Sequence, residues 1–324
     1  MNYGQILTNT FRILWREKKL LLFSLLGTAL LAVGTVLYGG TKVWLQVNLM
    51  PESTSQPLTD IELGEQMLRD FAIYAAMMGI LAVFGLGGYL VNLITRAGLV
   101  AEAARAWRGE QTDISRGLKK GASRALTFFV LDLIWVLPLL LLGAFGLASA
   151  STAFFKALDV VFAENAAADP QVFVGIMTGL FALMAVSACA MLLYGLFRGV
   201  FAPLMYQGAV IDDLSLGESI SRGWRLARTH PGPMVIFLLL MVAVQVALQL
   251  LLGALNVPFA LMLFLTLFDV MAGSAFHGFS LWQWLVVALS VTGPGLLAWG
   301  WMSLSQTISL TLYARVYQEL QQTQ

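Results

Sequence analysis

Asp132 is the one charged side chain inside a long apolar run, residues 126–148. It stands six residues past the start of that run, so at about 1.5 Å per residue it lies roughly 9 Å below the membrane surface. A charged Asp at a helix centre costs about 2.5–3.5 kcal/mol on insertion scales. The cost is smaller at this depth, and a nearby cation removes much of it. Arg96 and Arg198, which follow other apolar runs at the same surface, are the natural partners. The functional reading is a proton or ion relay, or a polar headgroup pocket. The simpler reading is an inter-helix salt bridge that fixes the bundle. Thr292-Gly293-Pro294-Gly295 falls near the middle of the last apolar run. Pro294 removes a backbone donor and crowds the preceding turn, and the glycines loosen it further. A kink is the plain consequence. In a transporter, such a break exposes backbone carbonyls to a solute. Pro138 reads in the same way.

Other reactive groups are scattered. His230 and His277 are expected on opposite sides of the membrane, where they cannot share a metal. Cys189 is the only cysteine, and no H-E-x-x-H occurs, so a zinc site lacks ligands. Neither G-x-x-x-x-G-K-[ST] nor G-x-S-x-G is present. The pair Asp212-Asp213 reads as a helix boundary rather than a metal site. No cofactor, metal or enzymatic activity is expected.

The elements that hold these residues are set by composition. Of 324 residues, 59% are hydrophobic and 11% charged, and mean hydropathy is +0.79. Soluble domains run about 25% charged, so an ordinary water-soluble fold is excluded. The net charge is +1, which argues against nucleic acid as a partner. Runs of about 20 apolar residues suit a bilayer core of about 30 Å, and six occur: 20–40, 71–94, 126–148, 172–196, 234–255 and 284–306. The first is too long for a cleavable signal peptide and lacks an A-x-A-like site.

Lys and Arg are distributed unevenly. Segments 1–19, 95–125, 197–233 and 307–324 hold 16 of the 19, leaving Lys42, Arg69 and Lys156 for the other side. The positive-inside rule then places both termini in the cytoplasm, with six spans in the cell (inner) membrane. A further apolar stretch, 257–276, is interrupted by Asp269 and Gly273. It is expected to lie on the outer face or re-enter it, with a seventh span as the alternative. Thr59-x-x-Glu62 resembles a capping box that starts a helix near Asp60. Apolar residues from Phe154 to Phe162 suggest an outer interfacial helix over 151–168.

A unit recurs along the chain. Ile114-Ser115-Arg116-Gly117-Leu118-Lys119 returns as Ile220-Ser221-Arg222-Gly223-Trp224-Arg225, and more loosely as Leu7-Thr8-Asn9-Thr10-Phe11-Arg12. Each copy precedes a span on the basic side. In the last copy, Ile220, Trp224 and Ala227 share one helix face and Arg222, Arg225 and Thr229 the other. In the first, Leu7, Phe11 and Leu14 oppose Gln5, Asn9, Arg12 and Arg16. Such helices lie flat at the headgroup boundary; alternatively they are elbows packed on the bundle. Candidate headgroup contacts are Arg12, Arg116, Lys119, Lys120, Arg222 and Arg225. Segment 95–125 carries seven basic and three acidic residues, net +4, and each basic residue contributes about 1 kcal/mol near an anionic leaflet. Gly175-x-x-x-Gly179 and Gly195-x-x-x-Gly199 permit close helix approach.

Residues 209–228, with Ile211-Asp212-Asp213-Leu214 leading into the Ile220 hexad, resemble an elbow of bacterial polytopic proteins. These are related to the membrane domain attached to some glycerophosphodiester phosphodiesterases. The tail Leu312-Tyr313-Ala314-Arg315-Val316-Tyr317 and the opening 6–23, with Trp15-Arg16-Glu17-Lys18-Lys19, are similar to the same family. In those enzymes hydrolysis belongs to a separate soluble barrel, for which the segments between these spans leave no room. The resemblance therefore implies an integral membrane domain and transfers no catalytic residue.

The expectation is an all-α polytopic bundle of six transmembrane helices in three repeated hairpins, each preceded by a cytoplasmic amphipathic interfacial helix. It forms a single integral membrane domain with repeats near 1–110, 111–213 and 214–324. Its expected role is non-catalytic, contacting anionic lipid headgroups, a membrane-protein partner or another copy of itself. The alternative is a permease for a lipid-like or hydrophobic solute, using Asp132 and the Gly-Pro-Gly break.

Overall fold

A computed structural model describes residues 2–49, 60–162, 170–272 and 281–322. They form eight helices with no strand among them: α1 (Tyr3–Arg16), α2 (Lys19–Leu49), α3 (Asp60–Trp107), α4 (Ile114–Phe162), α5 (Pro170–Ile211), α6 (Leu216–Thr229), α7 (Pro231–Ala272) and α8 (Leu281–Gln322). Six of these, α2, α3, α4, α5, α7 and α8, are long and apolar enough to cross a membrane. The expected all-α, multi-pass architecture is therefore present.

Local chemistry sets the ends of the short helices. Asn2 caps α1 by accepting from the Gln5 N–H, and the Glu17 N–H closes it on the Ile13 carbonyl at 2.7 Å. In α6 the Glu218 carboxylate accepts from both the N–H and the hydroxyl of Ser215, a capping-box contact. His230 ends the helix by donating to the Leu226 carbonyl. Pro231 then opens α7, where its missing N–H costs nothing. The middle copy of the repeat behaves differently. Residues 114–119 are the first turns of α4, which continues unbroken to Phe162. Asp113 caps it by accepting from the Ser115 N–H at 3.0 Å, and nothing like the Glu17-Lys18 or His230-Pro231 break follows. Two of the three expected interfacial helices are thus separate, and the third is fused to its span.

The outer ends also run on. α7 passes through Pro258 to Ala272 without interruption, so most of 257–276 continues the fifth span as one helix of 42 residues, about 63 Å long. Over these residues it is neither a re-entrant segment nor a separate seventh span; 273–276 lie outside the described residues. α4 likewise carries 151–162 in line with its span, and 163–168 lie outside the described residues. α3 begins at Asp60 as expected, although Thr59 is not among the described residues.

The chain divides into two compact units, Met1–Ala125 with Leu239–Glu319, and Leu126–Leu238 with Leu320–Gln324. In the first, α2 and α3 are knitted antiparallel by small residues. A methyl at Gly34 would lie 2.7 Å from Phe84 Cβ, and one at Gly88 would lie 2.8 Å from Leu31 Cγ. The start of α4 crosses α3 more tightly still. A methyl on Gly121 would come 2.0 Å from the Ile94 carbonyl oxygen, and one on Gly98 2.7 Å from the Gly117 oxygen. The pattern Gly117-x-x-x-Gly121 thus does what was expected of Gly175/Gly179 and Gly195/Gly199. Among the described residues, a Cβ at Gly175, Gly179 or Gly195 would meet nothing within 4 Å, and one at Gly199 only Leu238 at 3.6 Å.

Polar side chains complete the first unit, and α8 is their hub. Toward α2, the hydroxyls of Thr28 and Ser303 pair at 2.8 Å, Thr307 donates to Ser24 Oγ at 2.7 Å, and the Trp299 indole donates to Thr28 Oγ1 at 2.8 Å. Toward α3, Gln306 donates to Asn92 Oδ1 at 3.1 Å. Toward α7, Gln245 bridges Ser305 and Ser309 at 2.7 and 2.9 Å. Helices that share an apolar solvent gain no hydrophobic drive from meeting; packing of small residues and such hydrogen bonds hold them.

Candidate functional site

Phe128, Leu131, Asp132 and Trp135 form the buried face of α4 in the second unit. Asp132 is 3% exposed. Its Oδ1 accepts a hydrogen bond from the hydroxyl of Tyr206 on α5, and the Tyr206 ring stacks on Phe128 at 4.8 Å. A phenol donor lowers the cost of a carboxylate at depth, and the stacked ring keeps the pair packed. Sequence reasoning missed Tyr206, which stands 74 residues away on another helix. Of the expected partners, Arg198 is half-buried on α5 in this unit, and Arg96 is half-buried on α3 in the first unit.

Aromatic rings continue from this face toward the elbow. Trp135 meets Tyr194 at 6.1 Å and Phe197 at 5.7 Å, Phe197 meets Phe201 at 4.3 Å, and Phe201 stacks on Trp224 of α6 at 4.9 Å. The elbow is held close because its repeat carries glycine. A Cβ at Gly223 would lie 2.7 Å from Met205 Cγ. The buried face of α6 is accordingly Ser219, Gly223, Leu226 and Ala227, and that of α1 is Ile6, Thr10, Ile13 and Leu14. This turns the expected packing face of each elbow. Small Gly223 and Thr10 point inward, while bulky Trp224 and Phe11 remain exposed.

The basic residues fall into different settings. Arg12 and Arg225 are exposed, Lys119 is exposed and Lys120 half-buried. Arg222 is half-buried, and its Nε has no hydrogen-bond acceptor among the described residues. Arg116 instead grips the buried Glu102 carboxylate with two bonds, at 3.0 and 2.9 Å. Glu102 also accepts from the Asp113 N–H at 2.8 Å, so this arginine locks the α3–α4 turn. The turn is further tied to the α1–α2 junction, where Thr112 donates to Glu17 at 2.7 Å and Lys19 to the Thr112 carbonyl at 3.3 Å. Gly109, with φ of +81°, supplies the left-handed residue that ends α3.

Gly293-Pro294-Gly295 does not break α8, which is helical throughout. A methyl at Gly293 would lie 2.4 Å from the Phe259 ring of α7, so the glycine makes room for that ring. Asp212, between α5 and α6, accepts from Gln321 at 2.6 Å, and Asp213 has a φ of +57°; both mark a helix boundary. Among the described residues no group of three or more His, Cys, Asp or Glu is placed to hold a metal. His230 closes α6, Cys189 is exposed on α5, and His277 lies outside the described residues.

Compared with known proteins, the chain matches no family model, no curated protein and no solved structure.

Proposed function

We propose that the protein is a non-catalytic integral membrane protein of the inner membrane, with both termini cytoplasmic, that holds anionic lipid through its basic elbows. One observation carries this reading. Trp15, on the outer edge of α1, is 81% exposed and has Lys18 Nζ 5.7 Å from its ring centre. The opposite face of the same helix is buried. An exposed indole beside cations is the combination that settles at a membrane–water boundary. Phe11, Leu22 and Leu26 extend the exposed apolar edge from the elbow onto α2, and Arg12 adds charge. Kinship with the membrane domains attached to some glycerophosphodiester phosphodiesterases belongs to the same proposal and is carried by the elbow and tail patches.

The test is native mass spectrometry of the purified protein with its co-purifying lipids. Wild type should retain anionic phospholipid over zwitterionic. Arg12→Gln with Lys18→Gln should weaken that retention several-fold while leaving the melting temperature unchanged. Equal retention of both lipid classes by wild type would sink the reading.

A further inference from the structure

Thr112 closes on the α1–α2 joint with both its side chain and its backbone. Its hydroxyl donates to Glu17 Oε2 at 2.7 Å, and its carbonyl accepts from Lys19 Nζ at 3.3 Å. These two joint residues flank Lys18, whose ammonium lies over the exposed Trp15 ring. Thr112 is 2% exposed, so solvent has little access to its hydroxyl. The backbone on either side of Thr112 is fixed by one ion pair. The Asp113 N–H donates to Glu102 at 2.8 Å, and the Gln111 carbonyl accepts from Arg116 at 3.0 Å, while Arg116 and the buried Glu102 hold each other at 2.9 Å. The base of α2 is seated as well. Fully buried Phe23 lies against the α3–α4 crossing, where a methyl at Gly98 would come 2.9 Å from its Cε1. α2 therefore starts from a fixed base, and Glu17 is where α1 turns away from it.

We propose that Thr112 is a positioning residue: it latches Glu17 so that the elbow presents Arg12, Trp15 and Lys18 to an anionic headgroup. The Glu102–Arg116 pair sets the latch, so Arg116 acts on the lipid through the turn rather than by touching it. A hydroxyl on a carboxylate makes a charge-assisted bond, one of the stronger kinds of hydrogen bond. It joins residues 95 apart in the chain, so it fixes the joint against the turn, which bonds within α1 or α2 cannot do. The effect on lipid rests on the lipid-holding reading; the latch itself concerns where α1 stands.

The experiment uses the full-length protein in lipid nanodiscs, with nitroxide labels on Thr8→Cys and Ala122→Cys in a Cys189→Ser background. Both labelled positions are exposed, on α1 and on the part of α4 that belongs to the first unit. Their spin–spin distances read the stance of the elbow, and the otherwise wild-type chain should give one narrow distribution. Thr112→Val keeps the side-chain shape, removes the donor and should broaden or shift that distribution. Thr112→Ser keeps the donor and should restore it. Glu17→Ala should act as Thr112→Val does, and the double variant no further than either, because both remove the same bond. An unchanged distribution in Thr112→Val, or additive changes in the double variant, overturns the latch. Should Thr112→Val unfold, Glu17→Ala is judged by the same distances. In native mass spectrometry, Thr112→Val should retain phosphatidylglycerol roughly tenfold less well than wild type, the size of one hydrogen bond to a charged group. Wild-type retention despite a broadened distribution overturns the positioning role. If wild type itself shows no preference for phosphatidylglycerol over phosphatidylcholine, the lipid-holding reading fails, and the distances still decide the latch.

Discussion

Glu110 illustrates how single residues set the turn that follows α3. Its carboxylate accepts from Arg108 and Arg105, each at 2.7 Å. The hydrogen bond from Arg108, then that from Arg105, holds its pKa at about 2 against an ordinary 4.5. The folded value lies below the unfolded one, so the stability Glu110 lends is complete above about pH 4.5 and drains as the pH falls toward 2. Between about pH 5 and 8 it should change nothing. Thermal unfolding at about pH 5 and about pH 3 should show wild type losing more than Glu110→Gln; equal losses would contradict the assignment. Asp132 was legible in the sequence because one charge in an apolar run stands out. Tyr206 was not, because a tyrosine in a long helix announces neither its direction nor its neighbour. Arg116 was legible as a cation and illegible as the partner of Glu102, since the turn between them decides whether they meet.

At the scale of elements, the six spans could be read because apolar length is a one-dimensional property. The joints could not. Whether a short amphipathic stretch stands apart or fuses to its span depends on whether a break follows it, and only α1 and α6 have one. The sites of closest helix approach were equally hidden, since glycines four apart are frequent and a Cβ at Gly175, Gly179 or Gly195 would meet nothing within 4 Å among the described residues. The crossing of α3 and α4 gives a direct contrast. Gly121→Ala drives a methyl into the Ile94 carbonyl and should cost about 1–3 kcal/mol or more, the range for overpacking. Gly179→Ala, where a Cβ meets nothing within 4 Å among the described residues, should be neutral or slightly stabilising. Unfolding in mild detergent separates the two. Similar midpoints for both variants would mean the helices do not cross at Gly121.

For the whole molecule, the uneven placement of Lys and Arg makes a sided prediction. In a Cys189→Ser background, a cysteine at Arg108 should react with a membrane-impermeant maleimide only after the inner face is opened. One at Lys42 should react in intact cells. The reverse pattern would invert the topology and move the basic elbows to the outer leaflet. The two compact units do not follow the threefold repeat expected from the sequence. Unit boundaries arise from which side chains meet, and hydroxyls and amides meet across repeats: Ser24 and Thr28 with Thr307 and Ser303, and Asn92 with Gln306.

That hub has a consequence for how the chain is made. Synthesis delivers α2, α3 and α7 to the bilayer before α8, the last of the eight helices. Until α8 arrives, Ser24, Thr28, Asn92 and Gln245 lack the partners that later serve them in the first unit. The glycine-knit α2–α3 hairpin can form early, but the polar groups it carries toward α8 wait for that helix. Completion of this unit is thereby reported by its final helix. A chain stopped before α8 would keep its first five apolar spans and still present those polar groups to lipid.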